Sequence, residues 1–127
     1  MMSVKDESTR RFGKRQELLA ENFLYRKGFK LIQRNYLCRL GEIDLIMIDK
    51  HRQLVFVEVR YRSQALFGSA LDSITREKQR KIRTCATHFL MTHKKFNQLA
   101  CRFDVIAISP SSKTTSPIIK WIKNAFF

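Results

Sequence analysis

The sequence predicts one mixed α/β domain with a central sheet and flanking helices. Three observations carry that prediction. Two stretches place apolar residues three and four apart, as one face of a helix requires. Four runs are rich in β-branched and aromatic residues. They follow the order helix, strand, strand, strand, helix, strand within 127 residues, a length for one core.

Residues 1–9 are polar and are expected to form a flexible tail, leaving 10–127 as a single domain. A helix is expected from about Arg10 to Lys27, with Leu19, Ala20, Phe23 and Leu24 as its stripe and Gly28 just past its end. FKLIQRNY (29–36) reads as a strand, and RLG (39–41) turns the chain. EIDLIMID and QLVFVEVRYR read as two strands around a short polar loop near Lys50–Arg52, apolar on both faces as in a sheet interior. Residues 63–74 read as a loop hinged at Gly68. The second helix is expected from about Thr75 to Lys95, with Ile82, Cys85, Ala86, Phe89 and Leu90 inward. ACRFDVIAIS (100–109) is a further strand, and PSSKTTSP (110–117) is a surface loop. IIKWIKNAFF closes the chain as a short amphipathic piece docked on the core.

Lys and Arg total 25 against 11 Asp and Glu, a formal charge of +14. That field attracts polyanions, so nucleic acid is the first expected partner and acidic lipid the second. The N-terminal segment has no apolar core of a secretory signal, and no apolar run approaches the ~18 residues of a membrane span. Cys38, Cys85 and Cys101 are odd in number and lack C-x-x-C spacing, which predicts reduced, half-buried thiols in a cytoplasmic protein. His88 and His93 share no helix face and have no cysteine at ligand spacing, so zinc is not expected.

The two strands of GEIDLIMIDKHRQLVFVEVRYR carry Glu42, Asp44 and Glu58 where bare charge is costly. Side chains alternate along a strand, so Glu42 and Asp44 share a face, as do Glu58 and Arg60. An odd-length loop, for instance Lys50–Arg52, makes opposed residue numbers add to 102, which sets Asp44 against Glu58 and Glu42 against Arg60; an even loop puts the two pairs on opposite faces unless a bulge intervenes. Opposed carboxylates repel. A divalent cation offsets that repulsion, because Mg²⁺ takes one or two carboxylates together with waters and a substrate phosphate. A second reading of the same spacing pairs Glu42 with Arg60 and Glu58 with Arg62, with Asp44 capping a turn.

G-E-I-D-L-I at Gly41–Ile46, V-F-V-E-V-R-Y-R at Val55–Arg62, Phe67–Gly68, K-Q-x-K-I at Lys78–Ile82, R-F-D-V-I at Arg102–Ile106 and W-I-x-N-A-F at Trp121–Phe126 resemble the YraN-like family. That family is similar to the restriction-endonuclease-like, PD-(D/E)xK superfamily, closest in layout to archaeal Holliday junction resolvases. The resemblance implies a three-layer domain, a mixed central sheet flanked by helices, and hydrolysis of DNA phosphodiesters at branched or junction DNA by an endonuclease. It implies Mg²⁺ or Mn²⁺ held by Asp44, Glu58 and the Val59 backbone carbonyl. It also implies a first-helix acid, matched by Glu17, with Glu42 in support, and a homodimer.

The superfamily motif has Lys where this chain has Arg60. Lys can release its proton when buried, whereas Arg keeps it and serves only to hold phosphate or stabilise negative charge. A DNA- or RNA-binding or assembly protein on a nuclease scaffold, without hydrolysis, is therefore the alternative function. Arg60 and Arg62, with Arg76, Lys78, Gln79 and Lys81 at the start of the second helix, are the candidate nucleic-acid contacts. Arg80 and Arg83 add charge to the same segment, which otherwise reads as a solvated basic face.

Overall fold

The computed structural model describes residues 4–63 and 72–127. Helix α1 spans Val4–Arg26, and strands β1, β2 and β3 span Lys30–Cys38, Gly41–Ile48 and Leu54–Tyr61. Helix α2 spans Arg76–Thr92 and is followed by a 3-10 turn, Lys94–Phe96; β4 spans Cys101–Ser109 and β5 spans Ile118–Phe126. The expected order of helices and strands is the observed one, with two differences.

First, α1 begins at Val4, ahead of Arg10, so the described part of the expected tail is helical. VKDESTRRF contains no glycine or proline to stop a helix. Second, the C-terminal segment is a strand, antiparallel to β4 at the sheet edge. Its apolar residues fit both helical and strand spacing over so short a run, and pairing with β4 decides between them. Residues 64–71 of the expected loop, with Phe67–Gly68, lie outside the described residues.

The five strands lie in the order β1-β2-β3-β4-β5. Neighbours are antiparallel except β3 and β4, which are parallel. A parallel pair needs a crossover, and α2 lies in it. Side chains alternate to feed two cores. Val55 and Val57 pack with Leu45, Met47, Ile106 and the α1 residues Ala20 and Leu24. Leu54 and Phe56 pack with Ile46, Val105 and the α2 residues Ile82, Cys85, Ala86 and Phe89. With both faces covered, β2 and β3 read as continuous apolar runs. This is the expected three-layer arrangement.

Helix α1 stops where Gly28 takes φ +95°. The Gly28 N–H donates to the Tyr25 carbonyl at 3.0 Å and the Phe29 N–H to the Leu24 carbonyl at 3.1 Å, which satisfies the last turn of the helix. At the other helix, the Thr75 hydroxyl accepts the Lys78 N–H at 3.2 Å.

The R-F-D and W-I-x-N segments prove to be one structural clamp. Asp104 is 0% exposed and accepts from Arg102 Nε at 3.0 Å, Trp121 Nε1 at 2.9 Å and the Asn124 N–H at 2.9 Å. Arg102 reaches on to Asp49 Oδ2 at 3.2 Å and Gln53 Oε1 at 2.6 Å. A buried carboxylate is tolerable because each of its oxygens has a donor. The clamp ties β5 to β4 and to the β2–β3 turn.

The cysteine expectation is overturned. Cys38 at the end of β1 and Cys85 on α2 form a disulfide, with Cα atoms 5.6 Å apart and a sequence separation of 47. Sequence spacing carried no sign of it, because packing α2 on the sheet creates the proximity. Cys101 is a free, exposed cysteine.

Cys38→Ser should lower unfolding free energy by about 2–4 kcal/mol, the range for a crosslink closing a loop of this size. Urea melts with and without reductant check this: the parent should lose a similar amount on reduction and the variant should lose nothing. Equal sensitivity in both proteins would mean that the pair is not bonded.

Candidate functional site

The sheet splits at the acidic residues. Residue numbers add to 102 at every pair from Ile48↔Leu54 to Leu45↔Val57, the register expected from the odd loop. The β2–β3 ladder then ends. β2 stays paired with β1 as far as Gly41↔Cys38, while β3 stays with β4 as far as Tyr61↔Ile108. A continued ladder would direct the Val59 N–H to Ile43. It donates instead to Asp44 Oδ2 at 2.8 Å. A strand residue's N–H and C=O point to the same edge, so the Val59 carbonyl also faces the split.

The β1 backbone departs from strand geometry beside the split. Asn35, on β1 beside this point, has φ +48°. Strand alternation breaks there, and the consecutive Arg34 and Asn35 both reach α1. Arg34 Nε bonds Glu21 at 2.7 Å and Asn35 Nδ2 bonds Glu17 Oε1 at 2.9 Å. Asparagine is among the few side-chain-bearing residues that adopt this conformation readily.

A cavity of about 350 Å³ opens over the split. Asp44, Glu58, the backbone of Val59 and Arg60 line its centre, with Gly41 and Glu42 at the β2 side. Helix α1 contributes Gln16 and Glu17, and α2 contributes Lys78 and Lys81. Basic side chains therefore stand at the mouth of an acidic floor.

Glu58 is 7% exposed, and burial, then the charge of Asp44, push its carboxyl up to about 8. Burial pushes Asp44 up to about 7, against the pull of the Val59 N–H. Arg60 Nη2 pairs with Glu58 Oε2 at 3.3 Å and lowers both acids, but it does not offset their burial. Glu58 Oε1, Arg60 Nε and Gln16 Oε1 are buried with no hydrogen-bond partner. Such atoms cost free energy in a finished core and mark a place where a ligand can complete the site.

The expected residues divide. Asp44, Glu58, Val59, Arg60, Glu17, Glu42, Lys78 and Lys81 share the cavity. The Glu42–Arg60 and Glu58–Arg62 pairs do not form: Arg60 turns to Glu58 on its own strand, and Arg62 donates to the Tyr61 carbonyl at 2.8 Å. Asp44 caps no turn. Gln79 donates to the Ile74 carbonyl at 3.0 Å, and Arg62 and Arg76 do not line the cavity. Arg80 is tied to Glu77, and Arg83 donates to the Phe127 carbonyl at 2.7 Å.

Gln16 is the residue that sequence reasoning missed, along with Phe12, which packs edge-on against Tyr61 at 4.7 Å and lines the same wall. Phe12, Gln16 and Leu19 continue the α1 stripe backward at four and three spacing, a signal that was present in the sequence.

Among the described residues, no three His, Cys, Asp or Glu side chains gather as metal ligands. The oxygen donors present are two mutually repelling carboxylates, one with a partnerless oxygen, and the carbonyl of Val59 beside them. That donor set fits a hard divalent cation that keeps several waters.

Residues 16–108 match the sequence profile described as uncharacterised protein family UPF0102, the YraN family. A UPF0102 protein of Saccharophagus degradans is 54% identical over 90% of this chain and 91% of its own length. One from Nitrosococcus oceani is 45% identical over 97% of each chain. Among solved structures, a repair endonuclease from Pyrococcus abyssi is 20% identical, with a TM-score of 0.34 over 87% of this chain and 39% of its own length. No described helix is long and apolar enough to cross a membrane.

The acid pair makes metal-free stability depend on pH. Both folded pKa values lie above the unfolded values near 4, so the folded state binds more protons between about pH 4 and 8. The contribution of the pair is therefore full below pH 4 and is lost as pH rises through 7–8. Asp44→Asn, which can still accept the Val59 N–H, should gain on the order of 1–3 kcal/mol over the parent at pH 8 and little at pH 4.5. Denaturant melts in chelator at the two pH values measure this, and a pH-independent difference would contradict the assignment.

Proposed function

This chain belongs to the family UPF0102, and we propose that it is a divalent-metal-dependent endonuclease that hydrolyses DNA phosphodiester bonds at branched or junction DNA. The observation that carries the reading is the split sheet. It sets the buried Glu58, one oxygen partnerless, beside the half-buried Asp44, under a basic rim.

The reading assigns each residue a task. Asp44, Glu58 and the Val59 carbonyl would hold Mg²⁺ or Mn²⁺, which supplies an activated water and charge stabilisation when bound. Binding a cation also favours the ionised acids, which burial alone disfavours. Lys78 and Lys81 attract the phosphates on either side of the scissile one. The Arg60 guanidinium, with Nε unpartnered, donates to a non-bridging phosphate oxygen and offsets the charge that grows there in the transition state. Glu17, fixed by Asn35, adds negative charge beside Asp44 and stands where the superfamily layout has its helix acid. Gln16 offers its partnerless Oε1 to orient a water. A homodimer would offer two such sites to a four-way junction.

One observation favours a second reading, nucleic-acid binding without hydrolysis. Arg60 stands at the lysine position of the motif, and its one ion pair is with Glu58 itself. Such a pair offsets one of the two carboxylate charges without a metal ion.

Mg²⁺ or Mn²⁺ should raise the melting temperature of the parent and not of Glu58→Gln, and four-way-junction DNA should be cleaved by the parent and not by Asp44→Ala. Arg60→Lys should raise metal-dependent cleavage by up to ~10²-fold, the lower end of what general-base assistance supplies. Equal background cleavage in all three proteins, with no metal-induced thermal shift, would leave the binding reading standing.

Lys78→Ala with Lys81→Ala should weaken binding to any DNA sequence and reduce the slope of log affinity against log salt by about two units, near 0.9 for each phosphate contact. Fluorescence anisotropy at several salt concentrations gives the slope. Arg80→Ala, at a residue already tied to Glu77, should change it less.

A further inference from the structure

A second cavity, of about 270 Å³, lies at the other end of β2 and β3, beside the Asp49–Gln53 turn. It shares no lining residue with the carboxylate cavity. Its aromatic wall is Trp121 with Phe29, rings edge-on at 5.5 Å. The indole is fixed by its hydrogen bond to the buried Asp104, and Lys123 Nζ lies 4.4 Å from its ring centroid.

The acid in this cavity is already spent. Asp49 accepts the His51 and Gln53 N–H groups and pairs with Arg102, which also serves Asp104. Lys27, Lys50 and Lys123 line the same cavity, are exposed, and have no carboxylate partner among the described residues. A fixed aromatic plane ringed by unpaired cations is the chemistry that holds single-stranded nucleic acid, with a base on the ring and phosphates on the lysines. An acidic lipid surface fits less well, since none of the large exposed apolar side chains lines this cavity.

We propose that Trp121, Lys27, Lys50 and Lys123 form a second nucleic-acid site, which takes an unpaired nucleotide of a strand. The base stacks where the Lys123 ammonium now lies, and that ammonium moves to a phosphate. The clamp around Asp104 holds the indole in place for this contact. The site is separate from the carboxylates and does not depend on their chemistry.

Trp121 is the single tryptophan of the chain, so its fluorescence reads this site directly. The full-length protein is titrated with oligothymidylate of about eight nucleotides, within the usual span for such sites, in EDTA at low salt. Saturable quenching of Trp121 is expected, weakening as salt rises. Lys50→Ala with Lys123→Ala should reduce the affinity read by quenching about tenfold, with an unchanged melting temperature. Arg80→Ala, at a residue paired with Glu77 and lining neither cavity, should leave that affinity within about twofold. Trp121→Phe, followed by anisotropy of a labelled oligonucleotide, should weaken binding severalfold.

Three results would overturn the proposal. One is binding by anisotropy with no change in tryptophan emission. Another is quenching that is lost with Lys78 and Lys81 yet kept without Lys50 and Lys123. The third is a blue shift on phosphatidylglycerol vesicles with no response to the oligonucleotide. The titration is made in EDTA and reads Trp121, which does not line the carboxylate cavity, so its failure and that of the nuclease reading are distinguishable.

Discussion

The Asp44 carboxylate accepts the Val59 N–H at 2.8 Å in place of the next backbone bond of the β2–β3 ladder. Had the ladder continued, Glu58 and Arg60 would lie in a closed sheet with no room above them. Because it stops, β2 leaves with β1 and β3 leaves with β4, and the gap is the cavity. The bond also spares Asp44 part of the cost of burial, since a charge-assisted hydrogen bond is stronger than a neutral one. Asn35, left-handed at φ +48°, supplies the backbone irregularity on the neighbouring strand.

The two ends of the sheet handle buried charge differently. At the Asp49–Gln53 end, Asp104 receives three donors and Asp49 is paired, so the polar groups are satisfied and the end is rigid. At the split, Glu58, Arg60 and Gln16 each keep a partnerless atom, and Asp44 and Glu58 are pushed toward neutrality. Unsatisfied polar groups cluster where a protein meets its ligand. The contrast within one small sheet separates clamp from site more clearly than either end does alone.

Helix α2 links the site to the rest of the fold. Its inner face, Ile82, Cys85, Ala86 and Phe89, is buried in the second core, and the Cys38–Cys85 disulfide joins it to the end of β1. The β1–β2 turn that follows Cys38 leads into Gly41 and Glu42, while Lys81 and Lys78 stand about one and two turns before Cys85; all four residues line the cavity. The covalent bond therefore holds two walls of the same cavity at a fixed separation. Helical spacing does the sorting: Lys78 and Lys81, three apart, face the cavity, and Arg80 and Arg83 face away toward Glu77 and the C-terminus.

The sequence by itself determined the order of elements from α1 to β4, because apolar periodicity is a local signal. Loop parity decides which residues oppose, but the sequence left an odd and an even β2–β3 loop open, and the folded structure selects the sum of 102. Asp44 and Glu58 were singled out by their place on the two strands, and Glu17 through the motif. Tertiary structure alone decided where the ladder ends, that Arg60 pairs with Glu58, and that Cys38 meets Cys85 across 47 residues. It also decided that C-terminal IIKWIKNAFF is an edge strand clamped through Trp121 and Asn124 to Asp104. The physical reason is range. Pattern and register propagate along the chain, whereas a disulfide, an ion pair or a buried network depends on distances between segments that only packing brings together.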